Sequence, residues 1–422
     1  MPSRRRLLAA LSAGAAGLAG CVGFDDAVPD TEEPETVTPR DPKPLDVTGA
    51  WPRRRNDPAA TGVTDVTGVA DATTYWQLRR LESGPAVVAG DRLFHLAELS
   101  ERPDRRTVTA TMEEGATYIQ QAGVPHLVAR NAATGERRWI QQLDGPAAGW
   151  PAVAGGTVVA GVNGHLLAAD AESGNVQWDQ DLGDRVVRDP TIADATVYVP
   201  TSESVRAYVL ADGTRRWETS VSEWADGVAV AGDTVYATTT EGDAYALDAA
   251  TGTERWRVDT VGEAAHPPTV AGDTLFVGGS AGDVAAHAIA DGSVRWERTV
   301  GPNGWGGGAV TDGTVLYAGG GAVHALARSD GSERWRHDPG SKGAVVLPSV
   351  ADGTVYAGTR GPYEPSLFAL GLRAGEEEWS VSLPRTTVEG DIVDGGLAAP
   401  PAVVDGAIYA YAVNGLYAVG PG

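Results

Sequence analysis

The chain has 422 residues and carries 56 Asp and Glu against 33 Lys and Arg, a formal net charge of −23. A surface that acidic repels nucleic acid and anionic membranes and stays soluble at high salt, so nucleic-acid binding is excluded and salt adaptation is expected. A lone cysteine, Cys21, rules out a disulfide and a cysteine-based metal site.

The amino terminus reads as an address. Ser3-Arg4-Arg5-Arg6, with its twin arginine, precedes an apolar run from Leu7 to Ala19 that is too short to span a bilayer. The run ends in Leu18-Ala19-Gly20-Cys21, which looks like a lipobox. Residues 1–20 are therefore expected to be a twin-arginine lipoprotein signal peptide. Cys21 would carry the lipid that anchors the exported chain to the outer face of the cell membrane. Residues 21–50 are rich in Asp, Glu, Thr and Pro, without periodic apolar positions. That composition cannot offset its ordering entropy and predicts a disordered acidic tether. Residues 51–72 open on Trp51-Pro52-Arg53-Arg54-Arg55-Asn56-Asp57-Pro58 and are expected to be an irregular segment packed on the outside of the folded domain.

From Thr73 onward the pattern is β and repetitive. A glycine followed four places on by tryptophan recurs at Gly135/Trp139, Gly174/Trp178, Gly213/Trp217, Gly252/Trp256, Gly292/Trp296, Gly331/Trp335 and Gly375/Trp379. The tryptophans are 39, 39, 39, 40, 39 and 44 residues apart, a period that signals stacked or radial repeats. Each unit parses into four short runs of β-favouring residues separated by Gly/Asp turns, which read as consecutive antiparallel hairpins. Seven units begin near Pro85, Pro151, Pro190, Gly227, Pro267, Gly308 and Pro348. An eighth begins at Pro401 and contains three runs but no tryptophan. Thr74-Tyr75-Trp76-Gln77-Leu78 supplies the missing fourth strand. The prediction over residues 73–422 is an all-β, eight-bladed β-propeller of four-stranded antiparallel blades, its ring closed by the strand around Trp76. Arg precedes the repeat tryptophan at Arg138, Arg216, Arg255, Arg295 and Arg334 and is expected to form a solvated rim.

The Ala-x-x-Gly-x-x-x-Trp repeat on this period resembles the pyrroloquinoline-quinone-like propeller family. With the signal and lipobox, the chain is similar to the lipoprotein propellers of β-barrel assembly machinery; its composition also suits a haloarchaeal-type surface lipoprotein. The resemblance implies that Trp139, Trp178, Trp217, Trp256, Trp296, Trp335 and Trp379, with Trp76 as the eighth, lock neighbouring blades together. Quinone-dependent dehydrogenases of the same superfamily need the bound quinone, a calcium held by oxygen ligands, a catalytic Asp and, in many, an adjacent-cysteine disulfide. The single cysteine cannot form that disulfide, and no Asp/Glu/Asn constellation suited to calcium departs from the repeat. His126 and His165 begin equivalent strands in consecutive units, but the spacing of packed blades keeps such a pair from sharing a metal. No catalytic, cofactor-binding or metal-binding residue is therefore expected, and no cofactor.

The informative departures are loops. Glu98–Pro125 and Thr359–Pro365 lengthen the connection between second and third strands, and Pro384–Leu397 lengthens a blade-to-blade crossover. All three fall on one face of a propeller, where Trp150, Trp224 and Trp305 also lie outside the repeat, near Asp189, Asp226 and His266. With Arg360 and Tyr363, these residues are the candidate binding face. The expected function is a monomeric, non-catalytic, lipid-anchored scaffold that binds exported or membrane proteins. The alternatives are a receptor for a small ligand or glycan, and a quinoprotein dehydrogenase.

Overall fold

The computed structural model describes residues 45–422 apart from 80–83, 100–106, 112–116, 122–123, 146, 163, 184–188, 263–266, 302–307, 341–343, 361–365, 384–385, 389–390 and 394–395. Cys21 thus lies outside the described residues. Among the described residues every regular element is a strand.

Blade 4 shows how the repeat folds. Ala225–Ala231, Thr234–Thr239, Asp243–Asp248 and Glu254–Asp259 pair antiparallel in chain order. The second strand is buried throughout and the third almost throughout, as their small and β-branched residues permit. The last strand alternates, turning Trp256 and Val258 inward between exposed Glu254, Arg255 and Arg257. First strands of neighbouring blades approach one another around the ring, so the first strand of each blade is innermost. Eight such sheets succeed one another in order. The eighth is completed by Thr73–Arg79, which pairs with Gly415–Gly420 and sets Trp76 opposite Ala418. The ring is an eight-bladed propeller closed as the sequence predicts.

All eight repeat tryptophans make one contact. The indole N–H of Trp139, Trp178, Trp217, Trp256, Trp296 and Trp335 donates to a carbonyl of the next blade, at Ala171, Leu210, Ala249, Ile289, Arg328 and Leu372, over 2.7–3.1 Å. Trp76 reaches Ala132 at 3.3 Å, and Trp379 reaches Val69, seven residues before Trp76, at 2.9 Å. The repeat glycine is where the indole lands. Gly252 has φ +74, and a Cβ there would lie 2.6 Å from Trp217 Cε3. Six of the indoles also meet a second-strand tyrosine or phenylalanine of their own blade at about 6 Å, as in Tyr236 with Trp256. Three of the five rim arginines form ion pairs: Arg138 meets Asp91 at 3.0 Å, Arg255 bridges Asp233 and Asp248 at 2.8 Å, and Arg295 meets Asp273 at 2.7 Å.

The first part of the segment before the array departs from its expected position, while Val69, further on, meets Trp379 of the outermost strand of blade 7. Residues 45–64 lie along the innermost strands, not on the outside. Ala50–Trp51 adds a fifth strand inside blade 1, and Val63–Thr64 adds one inside blade 7. Between them, Pro52, Pro58, Ala59, Thr61 and Gly62 offer carbonyls to the amides of Val153, Val230, Val270, Val310 and Val350, in blades 2, 4, 5, 6 and 7. Thr48 exchanges two backbone hydrogen bonds with Asp405 of blade 8. The segment is a belt that visits the blades in ring order. It extends into the expected tether, since Leu45 is buried and packs beside Gly420. The physical reason is edge chemistry: inner strands have unpaired amides facing the axis, and a chain there satisfies them.

A buried polar pair sits in blade 1, where Arg130 donates from Nε to His95 Nε2 at 3.1 Å. Burial, and then the Arg130 charge, push the His95 imidazole down to about 3, so it is neutral in the fold.

Two measurements test this packing. Trp256→Ala is expected to cost about 3–5 kcal/mol in denaturant unfolding, because it removes an indole packed between two blades together with its hydrogen bond. For His95, the lowered pKa makes stability fall as pH drops from about 6.5 towards 3, since only the unfolded chain takes the proton readily. Against the wild type, His95→Gln should gain relative stability as pH falls from 7 to 4 in a thermal melt series, and parallel curves would contradict the buried neutral imidazole.

Candidate functional site

Antiparallel blades place every connection between second and third strands, and every crossover, on one face. The long insertion contributes a hairpin there, Thr107–Thr111 with Thr117–Gln121. The crossover from blade 7 to blade 8 contributes another, Thr386–Val388 with Asp391–Val393. Arg360 is exposed on the same face, its backbone amide bonded to the Ala344 carbonyl at 2.7 Å. Trp224 stands on the crossover into blade 4 and is 51% exposed, the one strongly exposed aromatic among the described residues.

The other candidates divide. Trp150 and Asp189 come together: Asp189 accepts the Trp150 backbone N–H at 2.7 Å. Gly149, with φ +72, allows this approach, because a Cβ would overlap the Asp189 carboxylate. Asp226 is buried at the start of the innermost strand of blade 4. His266, Trp305 and Tyr363 lie outside the described residues. The histidine pair is separate: His126 Nδ1 faces the Val124 carbonyl at 2.7 Å, and His165 Nδ1 faces Asp179 at 2.9 Å. Among the described residues no group of three or more His, Cys, Asp or Glu side chains is placed to hold a metal ion.

What sequence reasoning missed is that the belt supplies the floor of this face. The guanidinium of Arg54 lies over the Trp150 ring, 4.4 Å from its centroid, and pairs with Asp189 at 3.4 Å. Arg53 is buried and donates to the carbonyls of Asp57 and Pro58 at 2.9 and 2.8 Å, and to Val228 at 3.4 Å. Arg55 is buried and donates to the Gly308 carbonyl. Val228 and Gly308 lie two residues before valines that hold the belt, so the arginines form a layer inside the channel towards the loop face. Burial lowers Arg53 to about 10; burial, then the neighbouring Arg54 charge, lowers Arg55 to about 9. The signal was visible as three consecutive arginines, between Trp51-Pro52 and Pro58, in a strongly acidic chain. The floor is therefore cationic. A quinone-bound calcium would need clustered oxygen ligands, and the described side chains offer guanidinium groups instead.

The comparisons with known proteins bear on the whole ring. A family model described as outer membrane protein assembly factor BamB matches residues 63–223, 201–304 and 280–387. No curated protein matches the sequence. Among solved structures, BamB from Moraxella catarrhalis is similar at TM-score 0.57 and 18% identity, covering 78% of this chain and 98% of that one. Quinohemoprotein alcohol dehydrogenase from Comamonas testosteroni gives 0.65 at 14% identity, over 88% and 80%. A europium-containing methanol dehydrogenase gives 0.63 at 12%, over 88% and 98%. At these identities the structural likeness speaks for the fold alone.

Arg54→Ala should cost about 1–3 kcal/mol in denaturant unfolding, since it leaves the nearly buried Asp189 carboxylate with the Trp150 amide alone. Arg54→Lys should recover part of that loss, because an ammonium keeps the charge without the planar stack on Trp150.

Proposed function

The chain belongs to the family of outer membrane protein assembly factor BamB, and from that premise we propose that it is a non-catalytic scaffold that binds other exported proteins. The observation that supports this is the exposed Trp224 on the face built from the two extra hairpins and the long crossovers. Exposed aromatics set among polar loops serve as anchors in protein interfaces. Arg360, on the same face, belongs to the same surface; Trp150 and Asp189 act beneath it, held by Arg54.

The chain is exported and held at the outer face of the cell membrane by a lipid on Cys21, the role that the signal and lipobox support. The belt begins on one side of the ring. Leu45 lies beside Gly420, and the Asp46 carbonyl beside Gly406, at the hairpin turns opposite the loop face. The acidic composition fits work at high salt.

The fold shared with the two dehydrogenases supports a second reading, a quinone-dependent oxidation. The cationic floor does not suit a calcium ion, which needs clustered oxygen ligands.

Crosslinking on intact cells, with identification of the captured partners, separates the readings. Trp224→Ala should lose at least half of the crosslinked partner while shifting stability by no more than about 0.5 kcal/mol, as surface substitutions do. Unchanged crosslinking would overturn the proposed face. Pyrroloquinoline quinone with calcium should give neither thermal stabilisation nor dye reduction; turnover would establish the enzyme.

A further inference from the structure

The three belt arginines form a layer whose donors and charge are incompletely matched. Arg53 and Arg55 are 7% and 4% exposed. Within that burial, Nε of Arg53, Nε of Arg54, and both Nε and Nη1 of Arg55 make no hydrogen bond. A buried donor left unmatched is destabilising, and more so when the group is charged. The charges do not balance either. Three guanidiniums lie close enough to repel one another, and the carboxylates that act on Arg53 and Arg55 are Asp57 and Asp189. Asp57 spends its oxygens on the Thr61 amide and hydroxyl, and Asp189 is engaged by Arg54 and Trp150. Among the described residues one positive charge remains, centred on Arg55. The other polar group beside Arg55 is the hydroxyl of Tyr317, whose ionisation burial pushes up, so it stays protonated and can donate. Donors without acceptors and one surplus positive charge describe a receptor for one negative charge.

We propose that the arginine layer binds a single small monovalent anion inside the channel, held chiefly by Nε–H and Nη1–H of Arg55 with Arg53 beside it. The chemistry is that of a halide or a formate-sized carboxylate: one charge, several acceptor directions, and no bulk. Arg is the fitting side chain, because its planar donors are fixed in direction and its guanidinium gives up water more readily than an ammonium does. The anion ties the belt to the inner strands, because Arg55 already holds the Gly308 carbonyl of blade 6 and Arg53 the Val228 carbonyl of blade 4. Removing the negative charge leaves the arginines repelling one another beneath the binding face.

The test uses the full chain and bromide as the probe. Crystals soaked in sodium bromide, with data collected at the bromine absorption edge, should show an anomalous peak within about 3.5 Å of the Arg55 guanidinium. No peak there would overturn the proposal, because it would mean that water or nothing matches these donors. In solution, replacing sodium gluconate by sodium chloride at constant ionic strength should raise Tm saturably, by about 1 °C once chloride reaches about five times its dissociation constant. Arg55→Gln should lose that increment while Trp224→Ala keeps it. Equal Tm in both salts, or an undiminished increment in Arg55→Gln, would count against the site. Where Arg55→Gln does not fold, the bromide density of the unaltered chain decides. Loss of the bromide peak in sodium formate would assign the site to carboxylates as well as halides, and its survival would assign it to halides; both support one monoanion.

Discussion

Eight sheets that converge on an axis leave eight inner edges, and the amides on those edges cannot remain unmatched in a narrow channel. Closing the ring at its circumference does nothing for them. In this protein residues 45–64 meet that need, running past the inner strands and offering one carbonyl after another to Val153, Val230, Val270, Val310 and Val350. The belt explains several features at once. Prolines at 52 and 58 are tolerated because only carbonyls are asked of them there. Asn56 and Ala60 take positive φ, which lets a short segment turn repeatedly inside a ring. Trp51 is 1% exposed because it enters the core shared by blades 8, 1 and 7.

The outer ring obeys a different rule, and that rule is what the sequence displays. A lock made of one indole, one carbonyl seven residues before the next tryptophan, and one glycine under the ring needs the same residues at the same spacing in every blade. It therefore appears as a repeat. Even the irregular eighth lock keeps the spacing: Val69 lies seven residues before Trp76 and takes the hydrogen bond from Trp379. The glycine is absent there, with Ala72 four places before Trp76, which is why the unit escapes a search for the full motif.

The belt was not legible for the complementary reason. Its bonds use backbone carbonyls, which any residue supplies, so no periodicity marks Pro52, Ala59 or Gly62 as partners of distant strands. Composition pointed the wrong way as well. A stretch rich in Pro, Asp and Arg reads as surface, and only the fold shows that Arg53 and Arg55 are buried. The candidate face was half legible. Trp224 and Trp150 stood out by breaking the repeat, yet they differ in kind: one is exposed, and the other is covered by Arg54, a side chain 96 positions away in sequence.

That difference changes what the loop face is. A propeller with an open axis offers a ligand a tunnel, and its chemistry can lie anywhere along it. Here the belt runs along the inner strands of that axis, and the arginine layer lies within it towards the loops. A partner on this side meets loops and hairpins with buried arginines beneath them, in a molecule whose net charge is −23. Field lines from that acidic exterior oppose anionic partners at a distance, while the buried charge acts only at contact. A partner that docks with an aromatic-binding pocket over Trp224 need not be charged at all. Under the proposed function, shape and apolar contact at the loops, rather than electrostatic steering, would set which protein the ring holds.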